Sequence, residues 1–287
     1  MQFTVEERRT FKIVEKEDEL SVGTLHLGGG IISKEIIDKI SEYPTKKKIQ
    51  ISGLNNETLD YFITTQGNQF RKIHFFKCPK ISDFKSLEKL DLVEEIEFYW
   101  NQGATSLWNM SRNFNLTSLS LFDFRKQMDL SLIGTSSSLR KFVMGSLVPH
   151  GKTSILSTIP LSKALNLREL RLGVDSIENN DYTEFAKLKS LEIFHVSPIM
   201  YPLDVFAWLK VHLSKEASIN LRAPTVPLEN PFEHHGKKID TYVIGKGKKK
   251  WLSSEIDREK IQELNDEFES LIQNYRKDMS LMPKDFH

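Results

Sequence analysis

One apolar phrase recurs along this chain at nearly constant spacing. At Phe70–Ile81 the sequence reads FRKIHFFKCPKI, with Phe70, Ile73, Phe75, Cys78 and Ile81 at fixed offsets. The phrase returns at Val93, Ile96, Phe98, Asn101 and Ala104, at Leu116, Leu119, Leu121 and Phe124, and at Leu167, Leu170, Leu172 and Asp175. Side chains alternate along a strand, so the two central apolar residues of each copy share one face. A unit this short cannot bury that face alone. The copies must stack, each on its neighbours.

Ten such cores are expected when each is aligned on its first apolar residue: Leu25, Ile49, Ile73, Ile96, Leu119, Phe142, Leu170, Phe194, Ile219 and Tyr242. The gaps run 24, 24, 23, 23, 23, 28, 24, 25 and 23 residues. The long gap marks an insertion, expected to project near Val148–Ser154. Between the strands, helical return segments are expected over Ser33–Ser41, Asn56–Thr65, Asp181–Lys189 and Leu203–Lys215. Thr10–Glu15 reads as a strand within an N-terminal cap over residues 1–20, and the repeats occupy 21–250. Residues 251–287 hold a capping helix, Ser253–Lys277, and a loosely held tail. The helix carries an apolar stripe of Ile256, Leu264, Phe268, Leu271, Ile272 and Tyr275.

The repeated phrase resembles that of the leucine-rich-repeat superfamily over roughly Val22 to Gly245. The resemblance implies an α/β fold: a horseshoe solenoid with a parallel concave sheet, a helical or irregular convex side and a C-terminal helix. In that family a polar residue at one turn position bonds the neighbouring turn's backbone. Here the position holds Cys78, Asn101 and Asp175, but Phe124, Leu147 and Ile199 elsewhere. No subfamily follows from so irregular an array.

Charge and cysteine content narrow the function classes. Forty Lys and Arg against 39 Asp and Glu leave a net charge of +1, which gives no reason to expect nucleic acid. The single cysteine, Cys78, rules out an intrachain disulfide and reads as a small packing residue. No apolar run is long enough to span a membrane, and the start MQFTVEERRTFK lacks the apolar core of a signal peptide. A cytoplasmic protein, monomeric on its own, is expected. His234 and His235 are too close in sequence to chelate one ion, so no metal and no cofactor is expected. Gly151-Lys152-Thr153 resembles the end of a phosphate-binding loop, but Ser146 stands where that loop needs glycine. Lys246–Lys250 reads as a solvated basic loop.

The informative constellation is the column of residues that faces away from the core. Just after each strand core, three successive repeats place Phe76, Tyr99 and Phe122, and Trp100 follows Tyr99 directly. His74, Glu95, Glu97 and Asp123 lie beside them. Rings on an open sheet face are not needed to hold the stack together, whereas interfaces favour them. These eight residues are the candidate binding site. The expectation is a non-enzymatic scaffold that recognises a protein partner through its concave face, with a regulator or neutraliser of another protein as one form. The alternative is an effector or enzyme-associated protein whose activity lies in the C-terminal segment. The acidic residues beside the rings suggest a partner that carries Lys or Arg.

Overall fold

The structure is a computed structural model that describes residues 10–24, 30–148, 151–247 and 250–284. The chain divides into two compact units, Met1–Asp181 and Tyr182–His287.

In the first unit the strands are β1 (Phe11–Glu15), β2 (Glu19–Thr24), β3 (Lys48–Ile51), β4 (Lys72–Phe76), β5 (Glu95–Tyr99), β6 (Ser118–Phe122), β7 (Lys141–Gly145), β8 (Ser154–Ser157), β9 (Glu169–Gly173) and β10 (Ser176–Asn179). One sheet runs β1-β2-β3-β4-β5-β6-β7-β9. Only β1 is antiparallel to its neighbour; from β2 to β9 every pairing is parallel. This is a leucine-rich-repeat solenoid, with one parallel strand per turn. The register puts Leu20, Ile49, Ile73, Ile96, Leu119, Phe142 and Leu170 in one row. The second row, from Val22 through Ile51, Phe75, Phe98, Leu121 and Met144 to Leu172, is also buried throughout. Phe98 stacks on Phe75, with ring centroids 4.4 Å apart, and Phe84 and Phe124 close around them. The upstream positions Phe70, Val93, Leu116, Leu139 and Leu167 complete the core.

Backbone pairing extends past the strands. Just before them, Glu94, Thr117 and Arg140 donate to the preceding turn's Arg71, Glu94 and Thr117 carbonyls. Just after them, Lys77, Trp100 and Asp123 donate forward to Tyr99, Phe122 and Gly145. The return segments are short: helices α1 (Lys34–Asp38) and α2 (Asn56–Thr65), and 3-10 turns at Lys85–Lys89, Ile133–Thr135 and Ile159–Lys163. Helix α2 starts at a reciprocal cap, where Asn55 accepts from Thr58 N–H at 2.9 Å and donates its own N–H to the Thr58 hydroxyl at 3.0 Å.

Several expectations change. The expected first core, Leu25, lies outside the described residues, as do its open-face neighbours His26 and Gly28. The strand that pairs with β3 is β2, whose Leu20 and Val22 face Ile49 and Ile51. The cap strand β1 is present and covers β2's free edge, which a solenoid must protect. Part of the segment after β7 is a strand. Ser154–Ser157 becomes β8 and pairs in parallel with β10 in a second, two-stranded sheet. Pro149 and His150 lie outside the described residues.

The second unit holds β11 (Ile193–Val196), helices α3 (Leu203–His212) and α4 (Lys215–Asn220), a sheet of β12 (Thr225–His234), β13 (Lys237–Val243) and β14 (Trp251–Leu252), and helix α5 (Arg258–Lys277). Its β11 buries Phe194 and Val196 as the repeat pattern requires. The last two expected cores are not repeats. Ile219 is in α4 and exposed, because the Ser214 hydroxyl caps Ala217 N–H and starts a helix there. Tyr242 pairs antiparallel with Val226 and with Trp251. The expected helix over Asp181–Lys189 is a 3-10 turn, Tyr182–Lys187.

Helix α5 begins at Arg258 rather than Ser253, since Asp257 N–H donates to the Ser253 carbonyl to close a turn and Asp240 holds Ser254. Its Leu264, Phe268, Ile272 and Tyr275 are buried, while Ile256 is exposed. Tyr275 donates to Asp204 of α3. The tail is tied down as far as Lys284, whose N–H donates to Asp204 at 3.0 Å. No helix among the described residues is long and apolar enough to cross a membrane.

Candidate functional site

Parallel sheets are normally covered on both faces. Here the alternate residues of the first unit's strands, His74, Phe76, Glu97, Tyr99 and Phe122, stay half-exposed. Phe76, Tyr99 and Phe122 stand in register on three adjacent strands, followed in the same row by Gly145. The first two rings stack, with centroids 5.3 Å apart and planes 16° from parallel. His74 meets Phe76 edge-on at 5.6 Å. The structure therefore brings His74, Phe76, Tyr99 and Phe122 onto one surface.

Trp100 reaches that surface by a different device. In a continued strand it would point opposite Tyr99, into the core. Instead its φ is +62°, and the equivalent residues of the flanking turns, Gly53, Lys77 and Asp123, have φ of +76°, +53° and +58°. A left-handed conformation outside glycine costs on the order of 1–3 kcal/mol. Asp tolerates it and Gly is free of it, but Lys77 and Trp100 carry real strain. The turn ends the alternation and leaves the indole half-exposed. Gly53 is needed for a second reason: a Cβ there would lie 2.3 Å from Phe11 Cζ.

The charges differ from what the sequence suggests. Glu95 pairs with Lys72 of the preceding strand at 2.7 Å, and Glu97 Oε1 lies 3.4 Å from His74 Nε2. Glu95 is thus balanced by a neighbour one turn away, whereas Glu97 and His74 form an ion pair only when the imidazole is protonated. Burial pushes the His74 imidazole below its ordinary pKa, with the Glu97 carboxylate opposing that shift. Asp123 is buried. Its carboxylate accepts from the Ser146 hydroxyl and from Leu147 N–H at 3.2 Å, so it holds the turn that follows β7. Two cations lie against the rings as well. Lys77 Nζ lies 4.8 Å from the Trp100 ring and 5.4 Å from the Phe76 ring, and Arg125 Cζ lies 5.9 Å from Trp100.

Sequence reasoning missed Lys77 and Arg125. Lys77 was visible: it holds the same repeat position as Trp100 and Asp123, one step after the aromatic column. Arg125 carries no such signal. Two hollows adjoin this row: one of about 280 Å³ lined by Phe11, Gln50, Ser52, Phe76, Lys77 and Trp100, and one of about 380 Å³ lined by Trp100, Asp123, Arg125 and Lys152.

Among the described residues no group of three or more His, Cys, Asp or Glu is placed to hold a metal ion. Cys78 is fully buried and its pKa is pushed up to about 12 by that burial, which keeps it a thiol. What the surface offers is stacking area, two cations and two bordering hollows.

No family model matches this chain, and no curated protein matches it. Similar solved structures include two internalins. One is an internalin C2 from Listeria monocytogenes, 19% identical, covering 63% of this chain and 72% of that one with a TM-score of 0.37. The other is an internalin (InlF) from the same organism, 12% identical, covering 64% of this chain and 75% of that one with a TM-score of 0.23.

Proposed function

We propose that this chain is a non-enzymatic recognition scaffold that binds a protein partner through the open sheet face around Phe76, Tyr99, Trp100 and Phe122. The row of half-exposed rings on adjacent strands carries this reading. Rings of this kind bury much area with few rotors, which is why they anchor interfaces. The strained turn at Trp100 supports it, because the fold tolerates an unfavourable backbone there and gains a half-exposed indole. A regulator or neutraliser of another protein is one form such a scaffold takes. Cytoplasmic residence belongs to the same proposal, supported by a lone buried thiol in place of disulfides. The burial of Leu264, Phe268, Ile272 and Tyr275 favours a packing role for the C-terminal helix over a separate activity.

The test is capture of a stoichiometric protein by the intact chain, repeated with Tyr99→Ala combined with Trp100→Ala. Truncating true anchors costs ~2 kcal/mol or more in binding. The expected result is loss of capture with a thermal midpoint near wild type. Full capture by a folded double variant overturns the reading.

A further inference from the structure

We infer that the partner presents an acidic segment, with Asp or Glu next to an apolar or aromatic side chain, to the cations that flank Trp100. This rests on the recognition face proposed above and specifies its partner. Two acids of the face are already engaged, Glu95 by Lys72 and Asp123 by the backbone and hydroxyl of the next turn, while Glu97 faces His74, whose imidazole burial holds toward its neutral form. Lys77 and Arg125 have no carboxylate within ion-pair distance among the described residues. Both sit within 6 Å of one indole, so the ring holds them near each other. Lys152 lines the same hollow as Arg125 and Trp100, again without an ion-pair partner among the described residues.

Two facts argue that the Lys77 charge is poised rather than incidental. Its side chain is held against Phe76 and Trp100 by a left-handed backbone that lysine does not favour. Burial also pushes its pKa down, a cost that a bound carboxylate would relieve. A guanidinium such as Arg125 takes a carboxylate in a forked pair, while the apolar neighbour of that carboxylate lies against Phe76 or Tyr99. The whole-chain charge of +1 gives no broad basic field, which favours a carboxylate segment over a nucleic-acid backbone.

The experiment uses the full chain and short dye-labelled peptides of equal aromatic content, one rich in Asp and Glu, one rich in Lys and Arg, read by fluorescence anisotropy. A single-stranded oligonucleotide of the same charge as the acidic peptide is the third probe. The expected result is tightest binding of the acidic peptide, weakened by added salt and by about tenfold in Lys77→Asn and in Arg125→Gln. Asn suits the left-handed position, and Arg125 is exposed, so a midpoint loss in one variant leaves the other to decide. Tighter binding of the basic peptide, or of the oligonucleotide, overturns the inference. If the basic peptide wins and its binding still needs Tyr99, the face stands and only the charge assignment falls. If no peptide responds to Tyr99→Ala, the recognition face itself falls.

Discussion

Asn101 donates from Nδ2 to the Cys78 carbonyl, 3.0 Å away, at the same position of the preceding turn. The same nitrogen donates to the Ile81 carbonyl at 3.0 Å, and Oδ1 accepts from Gly103 and Ala104 N–H at 3.0 and 2.9 Å. One buried amide therefore satisfies four backbone groups that no strand partner reaches. Asn113 plays a similar part lower in the turn, donating to the Leu87 and Leu90 carbonyls at 2.9 Å each.

Asn101→Ala should remove the side-chain partner of those groups; the Cys78 carbonyl keeps the Ile81 N–H at 3.3 Å, while the Ile81 carbonyl and the Gly103 and Ala104 N–H groups lose theirs. Each stranded buried group costs about 1–3 kcal/mol, with partial relief by relaxation. We expect a total loss of roughly 2–4 kcal/mol in urea unfolding, with no change in the far-UV spectrum of the folded chain. A loss under about 0.5 kcal/mol, the ordinary surface value, would show that the amide is dispensable.

Trp100→Asn should behave differently. Relief of left-handed strain, about 1–3 kcal/mol, offsets the lost ring contacts with Lys77 and Arg125. The expected stability change is within about 1 kcal/mol of wild type, alongside strongly weakened partner capture. A large destabilisation would identify the indole as a packing group.

Stability should depend on pH through His74. Its folded pKa lies below the ordinary value of about 6.5, chiefly from burial, with Glu97 and Glu19 pulling upward and Lys16 adding to the depression. As pH falls through about 6.5 the unfolded chain takes the proton first, so stability is lost between that value and the lower folded pKa. It is fully present above about 6.5. His74→Gln, which matches Gln50 in the same row, should flatten this part of the thermal-midpoint profile. An unchanged slope in the variant would assign the dependence to other groups.

Cys78 should not react with a thiol reagent at neutral pH while the chain is folded. Burial keeps its pKa near 12 and its Sγ faces the Ile51 carbonyl at 3.7 Å. Labelling should appear only across the unfolding transition. Prompt labelling of the native chain would contradict the burial.

The repeat was legible because its signal is local and periodic. From Ile49 to Phe194 an apolar-x-apolar core every 23 to 28 residues names the buried face of each strand, and each of those cores is buried as read. The aromatic row Phe76, Tyr99 and Phe122 was legible for the same reason, since equal repeat positions become neighbours in a parallel stack. At the ends the same phrase was ambiguous. An apolar-x-apolar triplet does not encode its partner: around Tyr242 it serves an antiparallel hairpin, and at Ile219 the Ser214 cap turns the segment into a helix. The charge of the ring-bearing face was also out of reach. Glu95 and Glu97 read as a free acidic cluster in sequence, yet Lys72 and His74, 23 residues earlier, lie on the adjacent strand ~4.8 Å away, where Lys72 pairs with Glu95 and the His74 ring faces Glu97. Coulomb pairing depends on distance in space, and stacking alone sets which charges meet and which, like Lys77 and Arg125, are left over.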